Sequence, residues 1–433
     1  MKIIDYPNFE EKVYQKILTN GLTVNLVPKV GFHKIYASFT VDYGSVDSAF
    51  MTLNDRKVKN NPEGVAHFLE HKLFEKANYD AFELFGQLGA DSNAFTSYTK
   101  TSYLFSTVEN GKKCIETLLD FVQSPYFTTE SVEKEKGIIA QEIKMYNDDY
   151  NWRLYSGIVE NLYPNSPLSK DIAGTVESIQ RISAKDLYDC YHAFYQPSNM
   201  VLFVVGAIDP VETINWIEEN QKQKEFPVVS QIIHSKSMIN DKYDIIPYRM
   251  LEVTTSRAKV AVGIRGNVEL PAGKTGLKYK IALNLGMYLL MGESSEKYNE
   301  LYDEGLIDDS FDYDISVGRG YHFCVISGET SHAEELTKRI IDLLKTANNL
   351  INSQTAEFLL AKKEFIGRQI QSMNSLEGIA NRYEGNLFAG AMSFDAVEIL
   401  EKIELKDVLK AMNEFIEPDN VSVYQVLPKE DVN

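Results

Sequence analysis

The residues best equipped for chemistry stand together as His67-Phe-Leu-Glu70-His71. On an α-helix the two histidines are one turn apart and differ by roughly 40° in direction, so both imidazoles can reach one metal ion. Glu70 projects from the same side, beside the ion and not necessarily onto it. Two neutral imidazoles and a carboxylate suit a zinc ion that keeps one position free for water. Zinc lowers the pKa of such a water towards neutrality, and a nearby carboxylate can take the proton and pass it to a leaving amine. The pattern predicts one zinc per chain, held in part by His67 and His71, with Glu70 as general base.

A third ligand is required. The candidates lie in Glu133-Lys-Glu135-Lys-Gly-Ile-Ile-Ala-Gln-Glu142. Glu135 and Glu142 are seven residues apart, which puts them on one helix face but roughly 10 Å apart along the axis. Both can hardly bind the same ion directly. One should ligate, and the other should support the site from outside or touch substrate. Residue pattern alone leaves the choice open.

The elements that must hold these groups are legible nearby. Asn61-Pro62-Glu63 reads as a helix start, with proline early and an acid near the positive end of the dipole, and the helix runs to about Phe74. A helix over 79–88 stops at Gly89, strands follow at 91–98 and 101–108, and another helix covers 112–122. The glutamate pair belongs to a long helix over 129–146, followed by helices at 152–163 and 184–194 and a buried strand at 200–205. Upstream, an Asn20-Gly21 hairpin turn separates two alternating runs. Ile35, Ala37, Phe39 and Val41 then alternate as a strand with one buried face.

The second half repeats this pattern. Residues 260–266, 298–305, 321–328 and 359–373 resemble 35–43, 81–89, 102–108 and the long helix after Thr129, offset by about 218 residues. The expected fold is α+β: two tandem homologous domains, each a mixed, mainly antiparallel sheet covered by helices. Residues 1–220 form the zinc-binding domain, 221–247 a polar linker, and 248–433 a degenerate copy. Residues 281–291, the counterpart of the histidine helix, contain no His, Glu or Asp.

Bulk composition narrows the function classes. A chain of 433 residues is too long for one ordinary core. A formal charge of -18 disfavours nucleic acid, whose recognition needs a basic footprint. Cys114, Cys190 and Cys324 lie far apart and without CxxC spacing, as buried or idle thiols in a reducing compartment do. The first residues lack an apolar signal core, and the apolar run over 200–208 is too short to span a bilayer. A cytoplasmic protein without a membrane partner is expected.

Together these motifs resemble the insulinase/pitrilysin metallopeptidases, the inverzincins of H-x-x-E-H type, and above all their half-length bacterial members that come as paired subunits. The resemblance covers nearly the whole chain. His67-Phe-Leu-Glu-His-Lys-Leu-Phe74 is similar to the family's zinc helix, and Ser92-Asn-Ala-Phe-Thr-Ser97 to its substrate-binding edge strand. Residues 172–179 and 196–200 resemble positions with structural roles. The resemblance implies that Glu142 joins His67 and His71 on the zinc, that Glu135 supports the site, and that Glu70 is the base. It also implies that Asn93 and Ala94 offer backbone groups to an extended peptide, and that Phe95 and Phe74 line an apolar pocket beside the scissile bond. An exposed edge strand can accept a peptide as an added strand on physical grounds as well.

One departure matters. Complete sites of that family add an Arg and a Tyr, seven apart, within Leu-Arg…Gly-Leu-x-Tyr. Here the stretch reads Leu301-Tyr302-Asp-Glu-Gly305-Leu306-Ile-Asp308-Asp309. Tyr302 replaces the Arg, and Asp308 or Asp309 replaces the Tyr. An ionised aspartate cannot donate a hydrogen bond to a developing oxyanion. The expected function is therefore a zinc metalloendopeptidase subunit acting on unfolded oligopeptides, with a homologous zinc-less partner supplying the Arg/Tyr pair. The alternative is a non-catalytic peptide-binding or scaffold subunit, against which the complete zinc motif argues.

Overall fold

A computed structural model describes residues 1–52, 57–226, 232–234, 245–383 and 387–429. Most of the linker expected over 221–247 lies outside the described residues. The chain forms two compact units, each assembled from separate segments. The first comprises Met1–Ile143, Asp171–Ser235 and Ser372–Tyr383; the second comprises Lys144–Lys170, Lys236–Gln371 and Glu384–Asn433.

Seven strands make the main sheet of the first unit, in the order Lys2–Tyr6, Glu11–Ile17, Thr23–Pro28, Met200–Gly206, Ile35–Val41, Thr101–Thr107, Asp91–Thr96. The hairpin at Asn20-Gly21 is present: Ile17 pairs with Thr23, and Gly21 adopts φ +91°, the left-handed region that favours glycine. Ala37, Phe39 and Val41 are fully buried, but Tyr36 and Ser38 between them are buried as well, so the strand is covered on both faces where alternation predicts one. The face of Ala37, Phe39 and Val41 is covered by helices α1 (Val65–Phe74), α2 (Ala81–Gln87) and α3 (Gly111–Val122), which join the sheet in one apolar core. The long helix α4 covers Thr129–Asp148, and α5 follows at Tyr150–Leu162 with Asp149 as its N-cap.

The second unit repeats the arrangement. Its five strands run Tyr248–Val253, Val421–Pro428, Ala258–Arg265, Tyr321–Thr330, Asp312–Gly318. Its first pair is parallel and the other three pairs are antiparallel. Strands Thr23–Pro28, Met200–Gly206, Ile35–Val41, Thr101–Thr107 and Asp91–Thr96 have that same order and sense. Two tandem copies of one mixed, mainly antiparallel unit are thus the architecture, as the pattern predicts. The counterpart of the histidine helix, Gly273–Met291, buries Leu283, Leu285, Met287 and Leu290 in the second core, which explains its apolar composition.

Neither unit is a contiguous half. Helix α5, from the first half of the chain, packs inside the second unit, where Gly157 meets the Tyr424 ring and Asn161 Nδ2 donates to Val423 O at 3.0 Å. In return Leu376–Asn381 packs on the first sheet, where Tyr36 donates its hydroxyl proton to Asn381 Oδ1 at 3.0 Å. Among the described residues no helix is long and apolar enough to cross a membrane.

Candidate metal centre

Helix α1 starts four residues later than its Asn61 signal suggests. Gly64 precedes it with φ +87°, and a Cβ there would sit 2.3 Å from the Ala173 carbonyl oxygen. Gly174, at φ +78°, is equally crowded by the Glu63 carbonyl, to which Ser178 Oγ donates at 2.9 Å. A side chain at either glycine would force the two backbones apart, so this contact, not Pro62, sets where the helix begins. It gives residues 172–179 their structural role.

From that start α1 turns His67, Glu70 and His71 to one side. His67 Nε2 lies 3.6 Å from Glu142 Oε1, and His71 Nε2 lies 3.6 Å from Glu142 Oε2. The two imidazole centroids are 4.5 Å apart. One donor atom from each of His67, His71 and Glu142 lies within 4.8 Å of the others, the one such group among the described residues. Glu135 lies elsewhere: its Oε1 is 3.1 Å from His71 Nδ1, on the far side of that ring. A carboxylate there holds the proton on Nδ1 and leaves Nε2 with its lone pair turned inward. Among the described residues His67 Nδ1 is buried without a partner, and of the two rings His71 alone has a protein group that sets its tautomer. Two imidazole nitrogens, one carboxylate and an outer carboxylate are the donor chemistry of a zinc site.

Burial and charge sort these groups further. Burial, reinforced by neighbouring His71, pushes the His67 pKa down to about 3, which keeps the ring neutral and able to ligate. Burial pulls on His71 too, but the Glu135 hydrogen bond and the charges of Glu70, Glu135 and Glu142 outweigh it and raise its pKa. Glu70 is raised chiefly by burial, against lowering by the Thr96 hydroxyl that donates to its Oε2 and by His71. A carboxylate moved up from its ordinary range is a better proton acceptor near neutrality. Lys72, fully buried, bonds Glu75 and lies 3.9 Å from Glu135 Oε2. The sequence pattern singles out neither Thr96 nor Lys72. Thr96 stands within the edge-strand motif, but nothing in that motif marks which hydroxyl meets Glu70.

The edge strand is where the motif predicts. Asp91–Thr96 pairs only with Thr101–Thr107 and ends the sheet among the described residues. Ala94 N donates to Asn93 Oδ1 at 2.8 Å, so this amide faces the open edge and not the neighbouring strand. The shared pocket expected for Phe74 and Phe95 is not formed. Thr96 reaches Glu70 on α1, so strand alternation sends Phe95 to the opposite sheet face. There Lys100 Nζ lies 5.9 Å from its ring centroid. Phe74 is buried and stacks on Phe82 at 3.8 Å, with Phe121 at 5.0 Å. Phe82 remains 47% exposed, making it the apolar surface that Phe74 supports.

The chain has counterparts among known proteins. The insulinase description (peptidase family M16) matches residues 56–176. A Bacillus subtilis protein named zinc protease YmfH is 43% identical over 430 residues, spanning 99% of this chain and 100% of that relative. The chain belongs to the insulinase family. Within M16, the description "Peptidase M16 inactive domain" matches residues 181–365, a stretch that contributes none of the three converging donors. The crystal structure of an M16-like peptidase from Alicyclobacillus acidocaldarius superposes with a TM-score of 0.92 at 33% identity, covering 98% of this chain and 100% of that one. A Helicobacter pylori protease shares the fold at TM-score 0.78 and 21% identity, covering 96% and 100%. Other relatives of this M16 chain are likewise named zinc proteases.

Proposed function

We propose that this chain is the zinc-bearing subunit of an M16 metalloendopeptidase that hydrolyses peptide bonds in unfolded oligopeptides. The observation that carries the reading is the convergence of His67 Nε2, His71 Nε2 and the Glu142 carboxylate, with Glu70 on the same helix side. His67, His71 and Glu142 would hold one zinc, which when bound acts as a Lewis acid on the scissile carbonyl and acidifies water. Glu70 takes a proton from the attacking water at Oε1, the oxygen that does not accept the Thr96 hydroxyl, and delivers it to the departing amine nitrogen. Glu135 keeps the Nδ1 proton of His71 in place. The edge strand Asp91–Thr96, with the outward amide of Ala94 beside Asn93, takes the peptide backbone as an added strand. Phe95 contacts the substrate from its own sheet face, and Phe74 acts by backing Phe82.

The proposal keeps the division into a zinc-binding domain over 1–220, a linker over 221–247 and a metal-free copy over 248–433, now as homologous stretches of chain. A cytoplasmic location is supported by three buried, unpaired cysteines. A homologous zinc-less subunit is proposed as partner, supported by the state of Tyr302 and Asp308. Tyr302 is 47% exposed and stacked on Tyr298, and Asp308 is paired with Arg257 at 2.5 Å.

Metal content tests the reading. Freshly purified protein should hold close to one zinc per chain, and His67→Ala should remove it. Zinc-free protein, or Glu142→Gln with unchanged zinc affinity, would overturn the ligand set. Glu135→Gln should weaken zinc about ten- to a hundred-fold in chelator competition, the usual cost of losing an outer partner of a ligating histidine. Unchanged affinity there would exclude Glu135 from the site.

A further inference from the structure

We infer that Thr96 is a positioning residue for the general base, tying Glu70 to the strand that receives the peptide. The inference rests on the peptidase reading above and adds a residue to it. Glu70 is only 8% exposed, and a carboxylate so far desolvated needs a donor to hold its charge and direction. Thr96 Oγ1 supplies that bond to Oε2, while Oε1 accepts no hydrogen bond among the described residues. One oxygen is held and the other is left for a water.

Thr96 is itself fixed from behind. It is the last paired residue of its strand, opposite Thr101, whose hydroxyl donates to Tyr43 O at 2.9 Å. The turn that follows is clamped: Ser97 N donates to Lys100 O at 2.8 Å, and Ser45 N and Val46 N donate to the carbonyls of Ser97 and Tyr98 at 3.1 and 3.0 Å. Gly44 lies so close beneath it that a Cβ would approach the Tyr98 carbonyl to 2.4 Å. A strand rigid at this end and open along its edge can set both the track of the peptide and the aim of the base. The Thr96 hydroxyl joins the two.

The consequence falls on turnover and not on binding. Thr96→Val keeps the branched shape suited to a strand and deletes only the donor. In zinc-loaded protein, kcat for an oligopeptide should fall about ten- to a hundred-fold, the weight of a hydrogen bond to a charged group. KM and zinc content should stay at the parental values, and Thr96→Ser should restore most of kcat. If Thr96→Val turns over at the parental rate while Glu70→Gln does not, Thr96 has no such role and the peptidase reading survives. If KM rises and kcat does not move, Thr96 is a substrate contact and the inference fails. A Thr96→Ser variant no better than Thr96→Val would also overturn it. A parent that cleaves no peptide, alone or with a sister subunit, overturns both readings.

Discussion

Replacing Glu70 by Gln is expected to reduce peptide hydrolysis by at least about a hundred-fold, and up to about ten thousand-fold, while zinc stays bound. The range is what a positioned general acid–base group contributes. Gln has the same shape, and its amide oxygen can still accept the Thr96 hydroxyl that Glu70 accepts in the parent. It also removes a carboxylate from a buried position, so the folded protein should be no less stable. What the variant cannot do is take and return a proton. Zinc stoichiometry, thermal unfolding and initial rates on a peptide mixture together separate this outcome from misfolding or metal loss. Parental turnover in a zinc-replete Glu70→Gln protein would assign the base to another group.

The second large effect comes from what the chain lacks. Tyr302 and the aspartates at 308 and 309 occupy the places where the family pattern has Arg and Tyr. Hydrogen bonds from Ser310, opposed by burial but joined by the adjacent Arg257 guanidinium, hold the Asp308 carboxyl below its ordinary range. Asp308 is therefore ionised at neutral pH and accepts hydrogen bonds without donating any. Losing one donor to a developing oxyanion costs about a hundred- to a thousand-fold in rate. The zinc-loaded chain by itself should accordingly be slower by at least that factor than the chain mixed with a homologous subunit carrying both residues. A homodimer repairs nothing, because both copies have the same deficit. Tyr302→Arg alone should not restore activity, since the Tyr is missing as well. Full activity in the isolated chain would refute the two-subunit proposal, as would failure of every such sister to bind it.

Much of this molecule is legible in its amino-acid sequence. Helix α1, the long α4 and the edge strand are written in periodicity, turn residues and caps, which act within a few residues along the chain. The tandem repeat is legible for the same reason: two stretches with the same succession of local signals form the same five-strand arrangement, to which the first sheet adds Lys2–Tyr6 and Glu11–Ile17. The pairing of His67 with His71 needs only helical geometry.

Which glutamate faces the two histidines is a different kind of fact. Spacing puts Glu135 and Glu142 on one helix face and stops there. The packing of α4 against α1 brings Glu142 to both Nε2 atoms and Glu135 to Nδ1 of His71. The same holds for Thr96, chosen by which end of the strand lies over Glu70. The motifs assign Phe74 and Phe95 to one pocket, yet sheet alternation and the seating of α1 put them on opposite faces. The start of α1 differs from its local signal because Gly64 meets a backbone more than a hundred residues away in sequence, at Ala173. Helix α5 and Leu376–Asn381 carry ordinary helix signals that say nothing about which unit they join. Sequence alone determined the elements, their order and the ligand candidates, because these follow from interactions among near neighbours. Tertiary structure decided which face met which, because that depends on how distant surfaces pack, and no local period encodes it.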